Sequence, residues 1–300
     1  MKDTKNYSTV LVAGATGFLG SEICRQLLSK NKQVKGLVRA TSDKNKVAGL
    51  KETGVEIIEG DLKNKESLIN ALSGVSAIIS TVSSTLSRQE GDSIQTVDEQ
   101  GQNNLVDAAI EAGVNQFIYV SFCHMPEDSP LQRAKRKVEH HLVESGLNYT
   151  ILQPTYFMEV WLSPMLGFDY PNGKATIFGD GKKKISWIAI KDVASFAVAS
   201  LENSLAKNKI IELGGPEPLS PLQVVDIFET ARGKKFELQF VPEEALRAQR
   251  DSAQDPLSES FAALTLSVVH GSEIDMKENT NLFPVQLTSV NDYAGLVLSS

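Results

Sequence analysis

The chain has 300 residues, 41% of them apolar and 22% charged, with a formal net charge of −7. That length allows one large α/β domain, or a domain of about 150 residues with a smaller companion. The acidic balance disfavours a nucleic-acid-binding surface, which needs a basic face, and the 2 cysteines are too few for a disulfide framework.

Met1–Asn6 lacks the apolar stretch of a signal peptide and leads straight into the first strand. No apolar run approaches about 20 residues, so no membrane helix is expected. In chain order, Thr9–Ala13 reads as a strand. Phe18–Ser29 reads as a helix with Leu19, Ile23 and Leu27 on one face. Val34–Val38 is a strand, Lys44–Thr53 a weaker helix, Val55–Glu59 a strand, Ser67–Leu72 a helix and Ala77–Ser80 a strand. Val97–Ala112 is helical, with Leu105, Val106, Ala109 and Ile110 on one face. Gln116–Ser121 follows as strand, Pro130–Ser145 as helix and Tyr149–Leu152 as strand. Ala77–Ile79 and Phe117–Val120 are continuous apolar runs, suited to strands covered on both faces. The spacing predicts βαβ units and a mostly parallel sheet with about six strands before Pro154.

Beyond Pro154 the rhythm loosens. Phe168–Lys184 reads as loop with a short hairpin, Asp192–Leu201 as helix and Ile210–Leu213 as strand. Pro221–Arg232 is helix and Phe236–Phe240 strand, and Pro242–Glu244 opens another helix. Ser258–Ser300 holds further helices whose limits the sequence does not mark. The predicted division is a nucleotide-binding domain at 1–155 and a smaller substrate-binding region at 156–300, with some interleaving of elements allowed.

Gly14, Gly17 and Gly20 follow the first strand at three-residue spacing and open the first helix. Gly14 allows a sharp turn, Gly17 lets backbone approach phosphate oxygens, and Gly20 lets the helix pack close to the sheet. The helix amides and the positive end of its dipole then face a pyrophosphate, with Thr16, Phe18 and Leu19 in the same turn. Such a string alone is weak; its place between strand and helix in a βαβ unit of about 30 residues gives it weight. The end of the second strand selects the dinucleotide. NAD sites usually carry an acid about 20 residues beyond the glycines, but Gly36–Ser42 contains none. Arg39 stands there instead. Its guanidinium can grip a 2′-phosphate and stack on adenine, helped by Thr41, Ser42 and Lys44. NADP(H) is therefore the expected cofactor; the plainer alternative is a solvated charge beside a helix.

Gly14–Gly20, Arg39, Gly60-Asp61-Leu62 and Ile79-Ser80-Thr81-Val82 together resemble the atypical short-chain dehydrogenase/reductases. The resemblance is strongest to the NmrA-like group, which includes isoflavone-reductase-like enzymes and NADPH-binding redox sensors. Tyr149–Met158, with Gln153-Pro154 where Arg-Pro or Gln-Pro is usual, and Trp187–Ala194, with its Asp-Val-Ala helix start, resemble further segments of that group. The likeness covers roughly residues 8–240 and leaves about the last 60 without a matching motif. It implies that Asp61 binds the adenine amino group and Leu62 packs on the ring. It also implies that Thr81 and Val82 line the cofactor and that Pro154, Thr155 and Phe157 lie near the nicotinamide. Without it, Gly60-Asp61 reads only as a turn at a strand end.

Hydride transfer needs a proton source near the developing charge. Short-chain dehydrogenases usually supply it with Tyr-x-x-x-Lys on the helix that corresponds here to Pro130–Ser145. Lys135 takes the lysine's place, and Leu131 stands where the tyrosine belongs. Leu131, Lys135, Val138 and Leu142 share one helix face, while Arg133, Arg136 and Lys137 point elsewhere. Burial there lowers a lysine's pKa, and a cofactor phosphate opposes that. Lys135 can bind the nicotinamide ribose, donate a proton, or both; in isoflavone-reductase-like enzymes a lysine at this place is the proposed acid–base group. The alternative is a lysine that snorkels to the surface. The loop Ser121–Pro126 follows a strand at its C-terminal end, where doubly wound sheets place their sites. Ser121 or Cys123 falls in the region of the family's usual serine. His124 can act as an acid near neutral pH or be an ordinary loop histidine. His140 and His141 point about 100° apart on a helix and make a poor metal pair, and no metal site is expected. Tyr156, Phe157, Met158, Trp161 and Leu162 can wall an apolar pocket or simply fill a core.

The sequence thus predicts an α/β protein with a Rossmann doubly wound parallel sheet and a smaller C-terminal α+β substrate region. Its expected activity is NADP(H)-dependent reduction of a small, aromatic or apolar acceptor such as a quinone, enone or ketone, in the cytoplasm. Lys135 is the expected proton donor or its organiser. The alternative is a non-enzymatic NADP(H)-binding redox sensor acting through a protein partner, which the missing tyrosine favours. No nucleic acid or membrane partner is expected, and the oligomeric state is open.

Overall fold

Every residue of β1 (Thr9–Ala13), β4 (Ala77–Ser80) and β5 (Gln116–Val120) is buried, as strands covered on both faces should be. The computed structural model describes residues 9–86 and 89–299; the reading of Met1–Asn6 lies outside them. With β2 (Gln33–Val38), β3 (Glu56–Glu59), β6 (Asn148–Pro154) and β9 (Lys209–Leu213), these strands form a seven-stranded sheet ordered β3-β2-β1-β4-β5-β6-β9. The pairs from β3 to β6 are parallel, with Val12 opposite Gly36 on β2 and Ile79 on β4. The chain order reverses at the β1–β4 pair, and a doubly wound sheet offers its ligand crevice at the strand ends there. The parallel α/β architecture predicted from the spacing is the one observed.

Local signals set most helix limits. α1 (Phe18–Ser29) starts at the glycine turn. Asp43 caps α2 (Lys44–Glu52) by accepting from the amides of Asn45 and Lys46. Asn64 caps α3 (Lys65–Ala71), which therefore begins two residues before the predicted start. The helix predicted from Val97 starts earlier and in two pieces. Ser93 and Thr96 cap each other reciprocally and open a π-helix at Ile94–Gly101, which runs on into α4 (Gln102–Glu111). α5 spans Pro130–Glu144.

Two compact units interleave along the chain. The first takes in 1–121, 133–153 and 193–211; the second takes in 122–132, 154–192 and 212–300. In the first, Leu11, Ile78, Leu105, Phe117, Val138 and Ile151 join sheet and helices in one core. The second contains α6 (Met158–Trp161) and the predicted hairpin, formed by β7 (Phe168–Asp169) and β8 (Lys174–Phe178), which are antiparallel. β10 (Glu237–Val241) adds to β8 in parallel. α7 (Ile190–Ser200) runs from the second unit into the first. α8 (Pro221–Arg232) packs on α12 (Val290–Leu298), and α9 (Glu243–Asp251) packs on α10 (Pro256–His270). α11 (Lys277–Leu282) is a single short turn region between them. Phe168 meets Phe228 edge-on, with 4.9 Å between ring centroids, in the core of this unit.

Candidate functional site

The glycine turn is built by two close approaches. Gly14 has φ +85°, and a Cβ on it would lie 2.6 Å from Thr81 Oγ1 at the end of β4. That hydroxyl donates to the Ala13 carbonyl at 3.1 Å, so the space is already used. A Cβ on Gly20 would lie 2.1 Å from the Gly14 carbonyl oxygen. Gly20 therefore lets α1 start directly against the turn. Gly17 is less constrained, with 3.3 Å from such a Cβ to the same oxygen. α1 has no side-chain cap and no acid in its first turn. Its amides and positive end therefore meet no competing carboxylate, which suits an anionic ligand.

This turn forms one wall of a cavity of about 360 Å³ at the C-terminal ends of β1 to β4. Gly14, Thr16, Gly17, Phe18, Arg39, Asp61, Leu62, Thr81 and Val82 all line it. The structure thus brings these nine predicted residues and Ser42, a predicted helper, into one concavity. Leu19 and Gly20 lie buried in α1. Gly60 is close-packed as well, since a Cβ on it would lie 2.8 Å from Leu37 Cδ1.

Arg39 is not a solvated charge. Its Nη1 lies 2.6 Å from Asp92 Oδ2, and Ser42 holds its backbone by accepting from the Arg39 amide at 2.9 Å. Lys44, named as a helper, is exposed and not part of the lining. Lys46 lines the cavity instead, with its Nζ 5.9 Å from the Phe18 ring centroid. Asp92, 53 residues from Arg39 in sequence, gave no local signal.

Lys135 lies buried on α5, in the same unit as the cavity. Leu131, Lys135, Val138 and Leu142 are buried and Arg133 and Lys137 exposed, as the spacing predicts. Lys135 is 4% exposed, so it does not snorkel. Its Nζ lies 3.7 Å from Asp98 Oδ1, which makes no hydrogen bond, and 5.3 Å from the Tyr119 ring centroid. Asp98 Oδ2 accepts from the Ser84 amide at 3.0 Å and the Ser84 hydroxyl at 2.5 Å. Ser83 and Val97 line the cavity, so the residues holding Lys135 lie one step behind it in sequence. Glu139, one turn further along α5, accepts from the Gln153 amide at 3.0 Å and pairs with Arg136 at 2.5 Å. Burial lowers the Lys135 pKa, with Asp98 and Glu139 acting against it. The Tyr119 phenol beneath is pushed well up by burial and by Asp98. Sequence reasoning missed Asp98 and Tyr119, because nothing local links a π-helix residue and a strand residue to α5.

The remaining predicted residues do not line the cavity. Ser121 is buried, with a hydroxyl that makes no hydrogen bond. In the second unit, Thr155 donates from its amide to Leu213 O at 2.9 Å and from its hydroxyl to Ser186 O. Pro154 is buried, and Phe157 is half-buried in a bridge to Ile188. His124 is exposed between buried Cys123 and Met125. Core packing takes Tyr156, Met158 and Leu162, while Phe157 and Trp161 stay half-buried. His140 and His141 turn to different carboxylates, Glu144 and Asp107. Cys24 and Cys123 are buried and not joined in a disulfide, and burial pushes the Cys24 thiol up to about 12. Among the described residues, no group of three or more His, Cys, Asp or Glu is placed to hold a metal, and no helix is long and apolar enough to cross a membrane.

Residues 6–294 match the family model described as the NmrA-like family. The chain belongs to the NmrA-like family. Its NmrA-like relatives include the photosystem II assembly factor Ycf39 of Cyanophora paradoxa, 32% identical over 82% of this chain and 75% of that protein. The isoflavone reductase homolog IRL of Zea mays is 29% identical over 95% of this chain and 97% of its own length. Among solved structures, the NADPH-dependent quinone oxidoreductase QOR2 of Escherichia coli, complexed with NADPH, superposes with a TM-score of 0.79. Its identity is 22%, over 96% of this chain and 99% of that one. AtPrR2 with NADP+ and (+)pinoresinol gives 0.78 at 23% identity, over 97% and 99%. At these identities the likeness shows a shared NmrA-like fold.

Proposed function

We propose that this NmrA-like protein is an NADP(H)-dependent reductase that passes hydride to a small organic acceptor such as a quinone, enone or ketone. One observation carries the reading: the cavity lined by the glycine turn and Arg39 is also lined by Ser83 and Val97, next in sequence to Ser84 and to Asp98, the partner of the buried Lys135. The donor set fits the cofactor. The glycine turn and the uncapped α1 would hold the pyrophosphate, Arg39 the 2′-phosphate, and Asp61 and Leu62 the adenine. Relatives and neighbours named as isoflavone reductase homolog and NADPH-dependent oxidoreductase support the same reading.

Bound NADPH supplies the hydride. The acceptor then needs a proton, and Lys135 is the group assigned to deliver or organise it. Desolvation makes its ammonium a stronger acid than an exposed lysine. Asp98, 3.7 Å from Nζ, favours its charged form until the proton leaves. Two buried cysteines outside a disulfide suit a reducing compartment such as the cytoplasm.

A second reading has its own support. Leu131 is buried where a tyrosine acid would stand, and several relatives are named as photosystem II assembly factors. An NADP(H)-binding regulator acting through a protein partner fits both facts. NADPH oxidation against a panel of quinones, enones and ketones decides between them. Turnover with any acceptor supports the reductase. Absence of turnover, with binding that differs between NADPH and NADP+, supports the regulator.

A further inference from the structure

A second cation stands at the Arg39 corner. Lys63, in the turn after β3, lies 2.7 Å from Asp92 Oδ1, while Arg39 Nη1 lies 2.6 Å from Asp92 Oδ2. One carboxylate thus receives two cations on separate oxygens, and its side chain is 2% exposed. Arg39 and Lys63 follow neighbouring strands, β2 and β3. Asp92 comes from the segment between β4 and the π-helix. That segment is tied to the Arg39 turn at a second point, where the Gln89 amide donates to Thr41 O at 3.0 Å and Thr41 Oγ1 donates to Gln89 Oε1 at 2.5 Å. Arg39, Gln89 and Asp92 all line the cavity, and Lys63, outside the lining, meets it through Asp92.

A carboxylate gripped in this way offers two cations the same oxygen pair as a phosphate monoester. The phosphate carries more charge, between about −1.5 and −2 at neutral pH. A covered ion pair of this kind contributes little net stability, because desolvation offsets the attraction. Its position at the cavity edge gives it another use. We propose that Lys63 is the second phosphate-binding cation of this site, and that Asp92 is an internal anion competing with the dinucleotide 2′-phosphate for Lys63 and Arg39. This rests on the NADP(H) reading above and adds how that selectivity is set: affinity for the phosphate is what remains after Asp92 is displaced.

The test is calorimetric binding of 2′,5′-ADP and 5′-ADP to the full chain and to the Asp92→Asn and Lys63→Met variants. The Asp92→Asn change should tighten 2′,5′-ADP by about tenfold, the scale of one charged hydrogen bond, and leave 5′-ADP unchanged. Lys63→Met should weaken 2′,5′-ADP by about tenfold and also spare 5′-ADP. Unchanged or weaker 2′,5′-ADP binding in folded Asp92→Asn overturns the proposal, and the NADP(H) reading stands if the native chain still prefers the 2′-phosphate. A preference that emerges only in Asp92→Asn upholds the proposal and overturns the NADP(H) reading for the native chain. Should Asp92→Asn fail to fold, unchanged 2′,5′-ADP affinity in Lys63→Met overturns the proposal by itself.

Discussion

At Lys135 burial and neighbouring charge oppose each other. Removing it leaves Asp98 buried with only Ser84 to satisfy it. Lys135→Met should therefore cost about 3 kcal/mol, the range for an uncompensated buried charge, and adding Asp98→Asn should recover most of that. Urea denaturation of the two variants measures both. The pH dependence has a definite sign. The folded-state pKa is lowered from 10.5, so between that lowered value and 10.5 the unfolded chain binds more protons. Stability from this group therefore rises with pH through that window and is lowest below it, where both states are charged. The stability difference between native chain and Lys135→Met should move in the native chain's favour as pH rises through the window; a difference that is flat or falls would exclude a depressed pKa. Arg39→Asp should weaken NADPH at least about tenfold more than NADH, and equal loss for both would remove Arg39 from the 2′-phosphate. Residues of this kind were legible where one helix face carried the signal, as with Lys135. Asp98, Asp92 and Lys63 were not, because each finds its partner across a gap in the sequence.

The glycine turn shows how element and site share one requirement. Gly20→Ala forces a Cβ to within 2.1 Å of a backbone oxygen, so the turn must open. A loss of about 3 kcal/mol or more is expected in thermal or denaturant unfolding. Gly17→Ala has 3.3 Å of room and should cost about 1 kcal/mol or less, yet reduce dinucleotide affinity because the methyl enters the phosphate cradle. Equal effects of both substitutions on stability would contradict this division. Strands β1 and β4 and helices α1 and α8 were legible to the residue, since apolar runs and strong turn or cap signals bound them. The π-helix was missed at its start because the Ser93–Thr96 pair caps without the usual acid. The last helices were hard to place for a different reason. α10 is apolar nearly all round and shows little periodicity, although Asp255 and Pro256 mark its start once the cap is recognised.

For the whole molecule, the doubly wound parallel sheet was legible in the sequence because parallel βαβ winding leaves few alternatives, while the strand order with β9 at one edge comes from the structure. Interleaving of the two units was allowed for, but its crossing points were not marked, since they depend on which stretches pack together as 133–153, with α5, and 193–211, with most of α7, return to the first unit. The functional conclusion stands on a similar division. The proposed cofactor binding is spread over many lining residues, whereas the proposed reduction depends on Lys135 acting without the tyrosine usual in short-chain dehydrogenases. Deuterium transfer from 4-deuterated NADPH tests that step most directly, followed by mass spectrometry of an enone or ketone acceptor, whose carbon keeps the label; a quinone, whose hydroquinone O–D exchanges with water, is followed by NADPH oxidation. The expected result is product carrying one deuterium, taken from only one of the two C4 positions, with the rate falling at least about a hundredfold in Lys135→Ala. Tight NADPH binding with no deuterium reaching an enone or ketone and no NADPH oxidation by a quinone would contradict the reductase and leave a nucleotide-binding regulator.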